Sequence, residues 1–165
     1  MNTGMRIRPA EDGDFDAIAA ITNHYIETTA IHFGYQAVSS DELRATWRAA
    51  AGRYPWLVAE VDGGVVAYAK AGEWRARDAY RWTPEVGIYV EAGRRGGGIG
   101  AALYRELLAA LAAAGFHSVI GGITLPNPAS IALHERCGFV HVGTVREAGF
   151  KHDAWHDVAF YQRML

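Results

Sequence analysis

The sequence has a single cysteine, Cys137, among its 165 residues. One cysteine cannot form an intrachain disulfide framework, and it provides none of the Cys-x-x-Cys spacing of structural zinc sites. On a strand or loop, the spacing of His152 and His156 carries no metal-ligand signature either, so no metal is expected. The lone cysteine fits a reducing compartment, and we expect a cytoplasmic protein.

Long apolar runs and an excess of positive charge are also missing. No stretch approaches the roughly 18 apolar residues of a membrane span, and Met1–Arg6 reaches charge without the apolar segment of a secretion signal. We therefore expect a protein that is neither secreted nor bound in a membrane. The net charge of −2 argues against a broad nucleic-acid or anionic-membrane surface and favours small-molecule partners.

The composition suits one globular domain over residues 1–165, because 50% of the residues are hydrophobic and 21% are charged. Apolar periodicity, capping residues and turn signals predict alternating strands and helices. The predicted strands are Met5–Arg8, Trp56–Val61, Val65–Ala71, Glu85–Val90, His117–Ile123, Phe139–Val145 and Trp155–Tyr161. The predicted helices follow Asp14, run from Ser39 to Gly52, run from Ala101 to Gly115, and run from Asn127 to about Cys137.

A glycine-rich segment, Glu91–Gly100, lies between the predicted strand Glu85–Val90 and the predicted helix from Ala101. Such a turn lets the backbone approach a phosphate, and the helix that follows adds free N–H groups and the positive end of its dipole. Two arginines, Arg94 and Arg95, add charge. The segment therefore predicts a phosphate cradle.

Three kinds of phosphate loop are compatible with glycine at these positions. An ATP-binding P-loop needs Gly-Lys-Ser/Thr, but Gly100 is followed by Ala101. A dinucleotide loop fits Gly96-x-Gly98-x-x-Ala101, but the next predicted strand ends in Thr124-Leu125-Pro126 without the acidic residue that holds a ribose. The third pattern, Arg/Gln-x-x-Gly-x-Gly/Ala, matches at every fixed position. It resembles the acetyl-CoA pyrophosphate loop of the GCN5-related N-acetyltransferases (GNAT).

The order of elements resembles the same superfamily, which implies an α+β fold: a twisted mixed β-sheet with helices on both faces. A further set of segments resembles its phosphinothricin and methionine sulfoximine acetyltransferases. These segments are Asn23–Thr28, Arg53–Ala59, Ala76–Tyr80 and Ala148–Val158, while Asn127–Phe139 resembles the superfamily's second cofactor-contacting segment. The resemblance implies acetyl-CoA as co-substrate and a homodimer. The implied cofactor-binding residues are Ile88, Tyr89, Val90, Arg95, Gly96, Gly97, Gly98, Ile99, Gly100, Ala101, Asn127, Ser130 and His134.

Two residues are candidates for catalysis. Acetyl transfer needs a neutral amine, so the acceptor ammonium must lose a proton, and by resemblance Glu85 occupies the position of the general base. A solvent-facing charge at a strand start is the alternative. The leaving thiolate is favoured by a proton or a hydrogen bond at sulfur, and His134 stands where many members of the superfamily carry a tyrosine. Packing or surface exposure is the alternative for His134, and helix-end packing is preferred for Cys137.

The loop before the predicted strand Glu85–Val90 concentrates arginine and aromatic residues, which suits an acceptor with a carboxylate or phosphinate. By resemblance the substrate-binding residues are Phe33, Arg75, Arg77, Tyr80, Glu85 and Gly122. A solvated loop or a dimer contact is the alternative for the arginines. Gly121 and Gly122 either leave space for a ligand or mark a β-bulge.

The expected function is transfer of an acetyl group from acetyl-CoA to the α-amine of a small amino-acid analogue. The named acceptors are L-methionine sulfoximine, its sulfone and phosphinothricin. One alternative is acetylation of another amine, such as a protein N-terminus or a polyamine. A second alternative is a non-catalytic acyl-CoA sensor, although a sensor needs neither Glu85 nor an arginine-rich acceptor loop.

Overall fold

The structure, a computed structural model, describes residues 4–165. Within that range it has seven strands and four α-helices in the order β1-α1-α2-β2-β3-β4-α3-β5-α4-β6-β7. The strands are β1 (Arg6–Pro9), β2 (Trp56–Val61), β3 (Gly64–Gly72), β4 (Glu85–Val90), β5 (Ser118–Thr124), β6 (Val140–Lys151) and β7 (Ala154–Met164). The helices are α1 (Phe15–Thr28), α2 (Ser40–Ala50), α3 (Ile99–Ala113) and α4 (Pro128–Arg136).

All the strands of the described range form one mixed sheet in the order β1-β2-β3-β4-β5-β7-β6. Neighbours pair antiparallel except β4 and β5, which are parallel. Their registered pairing is confined to Glu85 opposite Ile120. Beyond that point β4 and β5 separate, which opens the middle of the sheet on the side where β4 runs into the glycine-rich segment.

Helices cover both faces of the sheet, as the resemblance implied. On one face, α1 and α2 pack Phe15, Ile18 and Leu43 against Trp56 and Tyr68 of the sheet. On the other face, apolar side chains of α3 pack against alternate residues of β2, β3 and β4, and Leu133 of α4 packs against the same cluster. The alternation follows from the pleat, which directs successive side chains to opposite faces.

The predicted order of elements is confirmed, and two local expectations are corrected. Asp14 does not cap α1 with its side chain; its carboxylate instead accepts hydrogen bonds from Arg8 and from the backbone N–H of Glu11. The last two strands are longer than the predicted Phe139–Val145 and Trp155–Tyr161. Irregular pairing in β6 breaks the period-2 pattern there, so the sequence signal ends before the strand does.

Candidate active site

A cavity of about 340 Å³ lies where the separation of β4 and β5 meets the start of α3. Its lining includes most of the residues expected to hold a cofactor: Ile88, Tyr89, Val90, Arg95, Gly96, Gly98, Ile99, Gly100, Ala101, Asn127 and Ser130. Gly97 lies in the same loop without lining the cavity, and His134 lines an adjoining small cavity with Ser130. The structure therefore brings the expected cofactor residues together.

The first turn of α3 presents backbone donors to this cavity. Its N-cap residue, Gly98, has a left-handed conformation with φ of 79° and has no side chain to cap the helix. The first backbone N–H that bonds back into the helix start belongs to Ala102, which donates to the carbonyl of Gly98. The N–H groups of Ile99, Gly100 and Ala101 precede it and are the donors that an anion would occupy.

Arginines surround the same opening. The Arg95 guanidinium lies over the ring of Tyr25 and donates to its hydroxyl at 3.0 and 3.2 Å. That hydroxyl donates in turn to the carbonyl of Val90, so Arg95 is held against the end of β4. Arg94 and Arg136 complete the cationic lining. The predicted phosphate cradle thus has both positive charge and backbone donors.

The backbone of β4 supplies further hydrogen-bonding groups. The backbone N–H of Glu91 donates to the carbonyl of Val66 at 2.8 Å, and Tyr89 pairs with Tyr68 in the same register. Because the groups of an antiparallel strand alternate in direction, Ile88 and Val90 turn their N–H groups away from β3, toward the separation from β5. An acyl-pantetheine chain could pair with these groups as an added strand does.

Glu85 stands at the paired end of the separation. The residue as a whole is exposed, but its carboxyl is crowded by β5: a Cβ added at Gly122 would lie 3.5 Å from Glu85 Oε1. Partial desolvation raises the pKa of Glu85, and the Lys70 ammonium opposes this rise. A carboxyl with a raised pKa is a stronger base once ionised, which suits proton abstraction near neutral pH.

His134 is buried on the inner face of α4. Its Nδ1 lies 2.7 Å from the Ser130 carbonyl oxygen, which can only accept, so Nδ1 carries the proton. Nε2 then accepts from the hydroxyl of Tyr104 at 3.0 Å. Burial lowers the pKa of His134, although the Ser130 hydrogen bond opposes it. His134 is therefore a neutral imidazole at pH 7 with a defined tautomer.

The two adjacent glycines of β5 have different neighbours. A Cβ at Gly121 would lie 2.8 Å from His134 Nε2, so this glycine makes room for the buried imidazole. Gly122 faces the opposite side of the sheet, toward Glu85 and Phe160. The pairing of β5 with β7 runs without a register shift, which excludes the β-bulge alternative at these positions.

The other expected substrate-binding residues are not gathered around Glu85 within the chain. Arg75 stacks over Trp74, and Tyr80 contacts the same indole edge to face. Arg77 begins an exposed 3-10 turn in this loop. Phe33 packs against Gly149 of β6 and lies 6.4 Å from the ring of His156. These residues form two separate exposed clusters, one in the loop between β3 and β4 and one around Phe33.

A second cavity, of about 590 Å³, opens on the α2 side and contains Glu85 and Gly122. We call it the Glu85 cavity; it is lined by Thr46, Ala49, Ala50, Tyr54, Trp56, Lys70, Ala71, Gly72, Glu73, Glu85, Val86, Gly87, Tyr89 and Gly122. Tyr89 lines both this cavity and the 340 Å³ cavity at the start of α3, which we call the cofactor cavity. Two cavities of different lining therefore meet across β4.

Comparison with known proteins agrees with this geometry. Residues 7–160 match the model of the acetyltransferase (GNAT) domain family. The chain is 46% identical to a phosphinothricin N-acetyltransferase of Streptomyces viridochromogenes over 96% of this chain and 87% of the relative. It is 36% identical to an L-methionine sulfoximine/L-methionine sulfone acetyltransferase of Salmonella typhimurium, over 98% and 95% of the two chains.

A solved structure shows the same fold. The phosphinothricin acetyltransferase of Sinorhizobium meliloti, in complex with acetyl-CoA, superposes with a TM-score of 0.94 at 36% identity, covering 98% of this chain and 88% of that one. The chain belongs to the GNAT acetyltransferase family.

Some residues of this GNAT site were not expected from the sequence. Arg136 shares a face of α4 with Leu133 and Ala129, so helical spacing counted from the cap at Asn127 would have found it. Lys70 is a charged residue inside the otherwise apolar strand β3, and that placement is a sequence signal for a functional side chain. Tyr104 lies in an apolar helix and carried no signal, because only tertiary packing brings its hydroxyl to His134.

The described residues contain no helix long and apolar enough to cross a bilayer. Within residues 4–165 there is also no group of three or more His, Cys, Asp or Glu side chains placed to hold a metal ion.

We predict that Gly121→Ala displaces His134. The added methyl overlaps the imidazole, which must strain or break its two hydrogen bonds to move aside, so overpacking should cost about 1–3 kcal/mol of unfolding free energy. Chemical denaturation measures this cost, and the histidine ring signals in NMR report the displacement. Gly143→Ala is the matched control, because no heavy atom lies within 4 Å of its added Cβ. Equal stability of the two variants would contradict the packing described for His134.

Proposed function

We propose that this GNAT enzyme transfers the acetyl group of acetyl-CoA to the α-amine of a small amino-acid analogue: L-methionine sulfoximine, L-methionine sulfone or phosphinothricin. The names of the relatives support this acceptor class. The observation that carries the proposal is the meeting of two cavities across β4, one lined by phosphate-binding groups and the other by a carboxylate of raised pKa. Direct transfer needs both ligands to reach one point.

The residues divide the work as follows. Arg95, the N–H groups of Ile99–Ala101 and the cap of α4 at Asn127 would hold acetyl-CoA, which supplies the activated acetyl thioester. Glu85 takes a proton from the acceptor ammonium, directly or through water, so that the nitrogen lone pair can attack the carbonyl carbon. A backbone N–H near Val90 stabilises the oxyanion that forms. The carbon–sulfur bond then breaks and the thiolate leaves.

We further propose that His134 assists departure of the thiolate. Because burial lowers its pKa, little imidazolium is present at neutral pH, and its contribution is a hydrogen bond from Nδ1–H that the sulfur would share with the Ser130 carbonyl. Tyr104 holds the ring in this tautomer from the other side. Cys137 has no part in direct transfer, and burial raises the pKa of its thiol, which disfavours the nucleophilic thiolate.

Assembly and location are also proposals. A homodimer is supported by the edge strand β6, where Val140, Val142 and Val145 are at least half exposed. A second copy would cover these side chains and could bring the exposed Arg75 and Arg77 against an acceptor. A cytoplasmic location is supported by the single free cysteine.

The proposed function is tested by release of CoA from acetyl-CoA in the presence of a panel of amines. We expect saturable turnover with L-methionine sulfoximine, its sulfone and phosphinothricin, and little with aminoglycosides, polyamines or short peptides. Turnover with another amine alone would support acetyl transfer by this enzyme but would contradict the proposed acceptor class. Binding of acetyl-CoA without turnover on any amine would favour the sensor.

Replacing the proposed base gives a second prediction. Glu85→Gln should lower kcat by about 10²- to 10⁴-fold, the range of general base catalysis. In the wild type, kcat/KM should rise with pH through an apparent pKa above the ordinary glutamate value of about 4.3, since only the ionised carboxyl accepts the proton. The exposed Glu106→Gln is the control and should leave the profile unchanged. Wild-type turnover in Glu85→Gln across pH 6 to 9 would show that the base lies elsewhere.

The arginine-rich loop before β4 gives a third prediction. The Arg75→Ala, Arg77→Ala double variant should raise the KM of the acceptor at least tenfold more than the KM of acetyl-CoA, because a lost charge-assisted hydrogen bond costs about 1.5–3 kcal/mol. Light scattering on the same samples reports the molar mass. Equal changes in both KM values, or a change in mass alone, would assign these arginines to assembly rather than to the acceptor.

A further inference from the structure

Lys70 and Glu85 lie on one face of the sheet as diagonal neighbours on adjacent strands. In the β3–β4 register Lys70 is opposite Gly87, and Glu85 is opposite Gly72. Residues opposite each other, and residues two apart along a strand, share a face. Each charged side chain therefore has a glycine across from it, and the two positions between them carry no side chain.

These four residues line the Glu85 cavity, and its floor is open. A Cβ added at Gly72 would meet no heavy atom within 4 Å, and one at Gly87 would meet only Tyr89, at 3.9 Å. Trp56 and Tyr89 line the same cavity. Diagonal positions on adjacent strands are about 7–8 Å apart. A small molecule can therefore lie on the glycine floor with one end at Glu85 and the other at Lys70.

Lys70 has no anionic partner within the described chain. Among residues 4–165, no carboxylate lies within 4.0 Å of its ammonium and no side-chain hydrogen bond holds it. The ammonium instead lies 4.9 Å from the ring centre of Trp56. Burial lowers the pKa of Lys70, while Glu85 opposes the change. A half-buried cation without a counter-ion is costly to keep and is well placed to receive an anion.

The other charges of the cavity make the ammonium necessary for an anionic ligand. Three side chains of its lining are charged at neutral pH: Lys70, Glu85 and the exposed Glu73, which follows the end of β3. Without Lys70 the cavity would present two carboxylates and would repel the carboxylate of an amino acid. With Lys70 it presents a carboxylate and an ammonium side by side, which complements a zwitterion.

We propose that Lys70 binds the α-carboxylate of the acceptor amino acid while Glu85 receives the proton of its α-amine. This inference rests on the proposed function and adds a specificity-determining residue to it. Lys70 selects acceptors whose amine and carboxylate sit on the same carbon, and disfavours simple amines and polyamines. The side chain of the acceptor is then directed away from the glycine floor, where sulfoximine and phosphinate groups can both be accommodated.

The test removes the charge from the enzyme and from the ligand in turn. Lys70→Met and the wild type are compared on L-methionine sulfone and on its α-carboxamide. We expect Lys70→Met to lower kcat/KM for the acid by 10- to 100-fold and for the amide by less than threefold, because the amide has no carboxylate to lose. Lys70→Arg should restore part of the loss. Arg105→Met, which removes an exposed cation from α3 outside both cavities, should behave as the wild type.

Several results would overturn the assignment. Equal losses on the acid and the amide, with a shifted pH profile, would mean that Lys70 acts only by tuning Glu85. A loss for phosphinothricin that greatly exceeds the loss for the sulfone would place the side-chain phosphinate on Lys70. A raised KM for acetyl-CoA or a lowered melting temperature, with an unchanged preference for the acid over the amide, would assign Lys70 a structural role.

A binding measurement separates this inference from the proposed function. L-methionine sulfone is titrated calorimetrically into the wild type and into Lys70→Met, each in the presence of CoA. Weaker binding to the variant supports the Lys70 contact even if the enzyme does not acetylate the sulfone. In that case only the proposed acetylation of this acceptor would be contradicted. Equal affinity, or no binding to either protein, contradicts the contact.

Discussion

The separation of β4 from β5 is the constraint on which the rest of the site depends. Two parallel strands inside a sheet would ordinarily satisfy one another along their length, but here the registered pairing is confined to Glu85 and Ile120. The unpaired length of β4 leaves backbone groups in need of partners, and buried backbone groups are costly without them. A ligand that supplies these partners is stabilised by the sheet itself. The same separation brings the first turn of α3, the inner face of α4 and the carboxyl of Glu85 to one opening.

The cavities on the two sides of β4 differ in their charge. On the α3 side, arginines and helix N–H groups collect positive charge around the cofactor cavity. On the α2 side, Glu85, Glu73 and Lys70 line a cavity of mixed charge. Desolvation raises the pKa of Glu85 and lowers the pKa of His134. One residue is thereby kept ready to accept a proton and the other is kept neutral.

Much of this could be predicted from sequence, for reasons that particular residues illustrate. Local signals were sufficient for the capping box of Ser39 and Glu42, the Asn127 cap and the strand Glu85–Val90, because each depends on neighbours in the chain. The phosphate-binding role of the glycine-rich segment could also be predicted, since its chemistry depends on the backbone. Residues that act through tertiary contact were missed or misread: Tyr104 has no sequence signal, and Asp14 bonds Arg8 rather than capping α1. The space at Gly121 is taken by His134, which no pattern within β5 could reveal.

The central claim is that an amine reaches Glu85 while a thioester reaches the opening between β4 and β5. A crystal structure of the protein with CoA and L-methionine sulfone tests it most directly. The α-amine should lie about 2.6–3.2 Å from the Glu85 carboxyl, or one water away, with the CoA pyrophosphate on the N–H groups of Ile99–Ala101. An acceptor bound on the opposite side of β4 from Glu85, or a pyrophosphate bound away from the start of α3, would contradict the claim.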